Sequence, residues 1–338
     1  MRAVSDDGLP SYADLLARTD GVPPGSAWGL WGPDDQLGTL NHLTPQRTVQ
    51  AAHAVRTGDR FNLDLPEPAF APALTPTRKP LRHHMFGVSP FHRDEWLDGF
   101  YTQVGSQIDG LRHFGHPDWG FYNGADPDRL VTGDPLLGIS AFAEHGIVGR
   151  GVLVDVGRYL AARGEAIDHT TNHAIGIDVV DAAAAEHGVT PRPGDIVMIR
   201  TGWVAHHLGL DRAERARAVN PLRCPGLRQS HDTVAWLWDH RVALVATDTF
   251  AVEAWPAVGD SPFVTEAERT GRLARDRHTG LMHRVLIPLL GMPLGELWRL
   301  DELAEACASD GRYECLLVAK PLNIVGGVGS PANATAIR

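Results

Sequence analysis

Four short apolar runs stand out along the chain: Val152–Val156 (VLVDV), Ile196–Arg200 (IVMIR), Val242–Ala246 (VALVA) and Leu316–Ala319 (LLVA). Each is rich in aliphatic or β-branched residues, too short for a helix and bounded by Gly, Pro or charged residues, which predicts buried strands. Between them apolar positions recur at helical spacing. A helix beginning at Asp178 carries the Ala182–Ala185 run and stops at Gly188, a residue suited to the position after a helix end. Ser230 is placed to cap a second helix, with Val234, Leu237 and Trp238 on one face. Leu300, Leu303, Ala304 and Cys307 repeat the pattern. Strands mixed with helices define an α/β or α+β chain.

No repeat, low-complexity run or long Ser/Gly linker divides the sequence, so a single domain over residues 1–338 is expected, with an N-terminal extension (about residues 1–60) packed on it. The stretch Pro66–Pro80 (PEPAFAPALTPTRKP) reads as a surface crossing, because its prolines cannot donate to a sheet and bias their neighbours toward extended backbone. Gly194-Asp195 and Thr201-Gly202-Trp203 suggest tight turns opening onto a cleft, where Trp203 either lines a pocket or plugs the core edge.

Composition narrows the function classes. Hydrophobic residues at 43% and charged residues at 21% are ordinary for a folded chain. A formal net charge of -10 argues against nucleic acid or an anionic membrane as partner, since both require clustered Lys and Arg. The chain shows no apolar leader and no run of ~18 uncharged apolar residues, so a cytoplasmic protein is expected. Cys224, Cys307 and Cys315 form no CxxC pair and read as buried free thiols.

Of the 17 histidines, His53, His187, His206, His207 and His240 read as surface residues, and His42, His83 and His84 have no partner in local sequence. HExxH, GxSxG and Walker patterns are absent, and Gly326-Gly-Val-Gly329 reads as a turn, so no nucleotide or organic cofactor is expected. Two clusters remain. In Gln103-Val-Gly-Ser-Gln107-Ile-Asp109-Gly-Leu-Arg-His113, strand alternation points Gln103, Gln107 and Asp109 to one side, with His113 swung back by a turn. Two amides, a carboxylate and an imidazole on one spot are unusual for a core, because buried polar groups need partners. The second cluster is His283 and Glu296, joined by the apolar link Leu286–Leu294, which would bury the segment between them.

The first cluster resembles the HxGTHxDxPxH motif of the cyclase / kynurenine-formamidase-like superfamily, matched here in frame as QxGSQxDGLRH, as in a long-chain branch. The resemblance extends over most of the chain, from Trp31–Asn41 (WGPDDQLGTLN) through Gly194–Trp203, Asp248 and Glu253 to Pro321-Leu-Asn-Ile and Gly329-Ser-Pro-Ala-Asn333. It implies a swivelling β/β/α fold with a mixed central sheet or barrel flanked by helices, assembled as a homodimer or homotetramer. It also implies hydrolysis of the C–N or C–O bond of a small cyclic or aryl amide or lactone, as of N-formylkynurenine, isatin or dienelactones, or a role in polyketide cyclisation. By the same resemblance His113 would be general acid/base beside Asp109, and a divalent metal would sit on Asp109, His283 and Glu296.

The sequence departs from the motif where Gln103 and Gln107 replace metal-binding histidines. An amide oxygen is a weak, hard donor, so Mn²⁺ or Mg²⁺ suits the remaining set better than Zn²⁺, with the two glutamines as weak ligands. Three readings follow: a metal-assisted hydrolase; a metal-independent cyclase, dehydratase or hydrolase using His113 with Asp109 or Glu296; and a catalytically inactive small-ligand-binding protein. Trp31, Tyr122 and Trp203, with Gln103 and Gln107, are the expected lining of a pocket for a flat or apolar small molecule.

Overall fold

A computed structural model describes residues 8–79 and 81–338. Met1–Asp7, where the polar start of the chain was read, and Pro80, the last residue of the proline-rich stretch, lie outside the described residues.

The strands, in chain order, are β1 (Arg60–Asn62), β2 (Arg82–Ser89), β3 (His92–Asp98), β4 (Gln107–Asp109), β5 (Ile147–Asp155), β6 (Ala174–Ile175), β7 (Ile196–Arg200), β8 (Gly226–Leu227), β9 (Leu244–Thr247), β10 (Leu294–Glu296), β11 (Glu314–Ala319), β12 (Gly329–Pro331) and β13 (Ala334–Ile337). Nine of them form one curled mixed sheet in the order β1-β13-β11-β5-β7-β9-β10-β4-β12. The consecutive pairs from β5 to β10 are parallel, and the other pairs are antiparallel. The four apolar runs supply β5, β7, β9 and β11. In β5, β7 and β9 nearly all residues are buried, as expected of parallel strands covered on both faces, whereas β11 alternates buried and half-buried positions.

Local chemistry sets the helix boundaries. The hydroxyl of Ser230 accepts from the Thr233 amide at 3.1 Å and starts the helix His231–Asp239, which buries Val234, Leu237 and Trp238. The alanine-rich helix spans Ile177–Glu186, and Asp301–Asp310 buries Leu303, Ala304 and Cys307. All three cysteines are buried and free. The N-terminal part is stitched to the body: the Trp238 indole donates to the Pro10 carbonyl at 2.9 Å and the Trp28 indole to the Pro288 carbonyl at 2.7 Å. Among the described residues no helix is long and apolar enough to cross a membrane.

Candidate active site

The site forms where β4 and β10 pair. Their antiparallel register sets Gln107 opposite Glu296 and Asp109 opposite Leu294. Alternation then puts Gln107 and Asp109 on one face, and Glu296 joins them from the neighbouring strand. The expected strand over 103–109 is shorter than read: only Gln107–Asp109 is extended, and Gln103 lies in a turn before it. Gln103 still reaches the same place, its amide N–H donating to Asp109 and standing 3.2 Å from Nδ1 of His113.

The chain leaves β4 through Gly110, where a Cβ would come within 2.9 Å of the Val328 carbonyl oxygen. The turn that follows brings His113 back, with its amide bonded to the Gly110 carbonyl at 3.0 Å. Arg112 anchors that turn, its guanidinium donating to the carbonyls of Val131, Asp134, Leu136 and Gly326 at 2.6–3.0 Å. Behind the site the buried Ser106 hydroxyl donates to the Leu297 carbonyl at 2.6 Å and accepts from the Leu65 amide at 2.9 Å. A small hydroxyl residue therefore ties three segments together where the motif carries Thr.

His283 and Glu296, thirteen residues apart, are brought into contact because the apolar link between them folds into the core. Nε2 of His283 lies 3.0 Å from Oε1 of Glu296 and 3.8 Å from Oδ2 of Asp109. The other ring nitrogen, Nδ1, is 2.7 Å from Oε1 of the fully buried Glu253, whose carboxylate also accepts the amides of Met282 and His283 at 2.6 and 2.9 Å. A carboxylate behind an imidazole fixes the ring's orientation and leaves Nε2 facing the site. The sequence pointed to Glu253 only as part of the wider resemblance; its contact with His283 comes from tertiary structure.

Charge is concentrated here. Burial by itself would lower the His283 pKa, but its hydrogen bonds to Glu253 and Glu296 outweigh it and raise the value. Burial raises the Glu296 carboxyl, and the charge of Asp109 adds to it. The His113 imidazole is pushed below its ordinary value, chiefly by burial, although Asp109 at 3.8 Å pulls the other way. Burial likewise lowers Arg78, whose positive charge faces Asp109 and Glu296 and whose guanidinium donates to the Gln103 carbonyl. Nothing in the sequence singled out Arg78, since it sits within the proline-rich crossing.

Asp109, His283 and Glu296 each present a donor atom, all within 4.8 Å of one another, so the buried group can hold a metal ion. Two further atoms bear on the fit. Asp109 Oδ2 and Gln107 Oε1 are buried acceptors without a hydrogen-bond partner. Unpaired buried oxygens cost about 1–3 kcal/mol each, and a cation among them would remove that cost. Two carboxylates, an amide oxygen and one oriented imidazole fit a divalent cation.

A cavity of about 390 Å³ opens over these groups, lined by Arg78, Gln107, His113, His283 and Glu296 on its polar side and by Phe114, Phe250 and Trp255 on its apolar side. The Phe114 ring lies 5.0–5.3 Å from the rings of His113, His278 and His283. The aromatic residues expected to line the pocket sit elsewhere. Trp31 packs edge-on against His42 and Trp238 in the core, and Tyr122 is fully buried with its hydroxyl donating to Asp35 at 3.0 Å. Trp203, also buried, lines a separate cavity of about 430 Å³ with His169, His206 and His207. His207 is buried there against Trp203 and Phe70, which corrects the surface reading of that residue.

A curled mixed sheet that meets a carboxylate–imidazole group at the edge of an aromatic cavity defines a cyclase-like α/β protein. The chain belongs to the Cyclase family, described as "Putative cyclase", whose model matches residues 62–254. A crystal structure of a novel cyclase is similar at 34% identity, covering 93% of this chain and 99% of that one, with a TM-score of 0.78. Isatin hydrolase A from Labrenzia aggregata, bound to benzyl benzoate, shares the fold at 18% identity and a TM-score of 0.54, over 85% of this chain and 94% of that one. Isatin hydrolase A from Ralstonia solanacearum does so at 20% identity and a TM-score of 0.54, over 87% and 98%. No curated protein matches the chain.

Proposed function

We propose that the chain is a hydrolase of the C–N or C–O bond of a small cyclic or aryl amide or lactone, with His113 as its general acid/base. The observation that carries this reading is the placement of His113. It is 23% exposed at the cavity, held between Gln103 and Asp109, and borders the buried Asp109–His283–Glu296 group. Its lowered pKa keeps the ring neutral at pH 7, so the imidazole can accept a proton from an attacking water and return it to the leaving nitrogen or oxygen. Phe114, Phe250 and Trp255 offer flat apolar faces to an aryl or cyclic group, and Arg78 places a positive charge beside the carbonyl oxygen that gains charge. The isatin hydrolases that share the fold are named for the hydrolysis of isatin.

Asp109, His283 and Glu296 would hold a divalent cation, Mn²⁺ or Mg²⁺ rather than Zn²⁺, with Gln107 supplying an amide oxygen. Such an ion polarises a bound carbonyl and lowers the pKa of bound water. Glu253 keeps Nε2 of His283 facing the ion site, and Asp109 accepts from Gln103, which in turn steadies His113.

A second reading, acid/base chemistry without a metal, rests on the amide orientations: Gln107 donates to Glu296 at 2.6 Å and Gln103 donates to Asp109. In that arrangement the amide N–H groups and a protonated His283 offset the carboxylates. Hydrolysis of a panel of isatin-type amides, aryl formamides and lactones, with and without chelator, separates the two. Turnover that chelator abolishes and Mn²⁺ restores supports the first reading. Chelator-insensitive turnover that His113→Ala abolishes supports the second. No turnover with any substrate and metal contradicts both and leaves a ligand-binding protein.

A further inference from the structure

The cavity of about 430 Å³ beside Trp203 shares no lining residue with the candidate active site. In a chain of formal net charge -10 it is a basic spot. Arg217 and Arg223 stand at it, and among the described residues neither guanidinium meets a carboxylate. Among those residues Glu214 is the one acidic side chain in the lining, and its carboxylate already accepts the Asp211 amide at 2.9 Å in a helix cap. The wall is aromatic: the His207 ring stacks on Trp203 at 5.1 Å with the planes 25° apart, and Leu210 and Pro221 add apolar surface. His207 is 2% exposed, yet its Nε2 has no hydrogen-bond partner, and neither has the buried Nδ1 of His169. Burial lowers the pKa of both rings, and the positive charges of Arg215 on His207 and of Arg200 on His169 lower them further.

We propose that this cavity binds a small aromatic carboxylate. A guanidinium fork matches the two oxygens of a carboxylate and binds them in parallel, and two such forks without counter-charge repel a cation. An unpaired buried ring nitrogen is costly until a ligand atom meets it, and an imidazole N–H is a ready donor to an anion. A bare inorganic anion would leave the Trp203–His207 wall and Leu210 without a partner, whereas a ring laid against them buries apolar surface. The volume lies toward the small end of ligand pockets, which suits a molecule of one or two rings. Binding here depends on none of the groups at the other cavity, so it holds whatever reaction they perform.

Calorimetric titration of the full chain with benzoate, benzamide and inorganic phosphate tests this. Benzoate is expected to bind saturably, and the other two at least about tenfold more weakly, because benzamide lacks the charge and phosphate the ring. Arg217→Ala/Arg223→Ala should weaken benzoate by at least about tenfold, whereas Arg78→Ala, at the other cavity, should leave it within about twofold. No saturable benzoate binding, equal binding of benzamide or phosphate, or a folded double variant that binds like the wild type overturns the proposal. A loss confined to Arg78→Ala puts the ligand in the other cavity and overturns it equally. If the double variant does not fold, diethyl pyrocarbonate labelling of the wild type, read by peptide mass spectrometry, decides. Benzoate should slow the modification of His206 and leave that of His278, at the other cavity, unchanged; the reverse pattern, or no protection of His206, overturns the proposal.

Discussion

Two cavities of similar volume, about 390 and 430 Å³, hold histidines in opposite states. In the first, His283 is flanked by Glu253 and Glu296, and its pKa is raised in spite of burial. In the second, His169 and His207 have no carboxylate bonded to them, and burial, with the nearby charges of His206 and Arg215 among others, lowers both to about 4. His169 Nδ1 and His207 Nε2 have no hydrogen-bond partner. The same side chain thus becomes an oriented hydrogen-bonding group between carboxylates in one cavity and a group with an unpartnered ring nitrogen in the other. Histidine content alone does not mark a site; the carboxylate behind the ring does.

The contrast can be broken from the catalytic side first. His113→Ala is expected to lower kcat by roughly 10²–10⁴-fold with the fold intact, measured on whichever amide or lactone turns over. Glu253→Gln should cost about 10–100-fold in metal affinity or activity, because Nδ1 of His283 loses its carboxylate while Nε2 remains. Reading both the metal titration and kcat distinguishes a positioning role from simple unfolding.

The other cavity predicts an effect on stability. The His207 ring titrates near 6.5 when unfolded and near 4 when folded, so between these values the unfolded chain binds a proton that the native one refuses. Stability is therefore full above about pH 6.5 and falls as the pH drops toward 4, by on the order of 2–3 kcal/mol. His207→Phe should flatten that loss in denaturation curves taken from pH 7 to 4. The smallest effect is expected for His169→Ala and His206→Ala, which should leave turnover within about twofold of wild type. A large loss of turnover in either would erase the distinction between the cavities.

Much of the fold was legible in the sequence because strands covered on both faces carry continuous apolar runs, as the buried stretches of β5, β7 and β9 do, while the apolar run of β11 lies in a strand that alternates buried and half-buried positions. Short edge elements such as β1 and β12 carry no such signal, and the hairpin β2–β3 has an apolar content that no local rule assigns to solvent. In the candidate site, alternation in β4 placed Gln107 beside Asp109; the apolar link predicted only that the segment between His283 and Glu296 is buried, and the pairing of those two residues was implied by the resemblance alone. What pattern alone could not supply was the cross-strand register that joins Glu296 to Gln107, or the contacts of Glu253 and Arg78. Trp31, Tyr122 and Trp203 were chosen for their aromatic character, which serves core packing as well as ligand binding; Phe114, Phe250 and Trp255 line this cavity instead.

Asp109, His283 and Glu296 are proposed to hold a divalent cation. Titration of Mn²⁺ into chelator-stripped protein, followed by electron paramagnetic resonance, tests this directly in the wild type and in Asp109→Asn and Glu296→Gln. The expected result is saturable binding of a single ion per wild-type chain, lost in both folded variants. No saturable binding in the wild type, or equal binding in the variants, would contradict it.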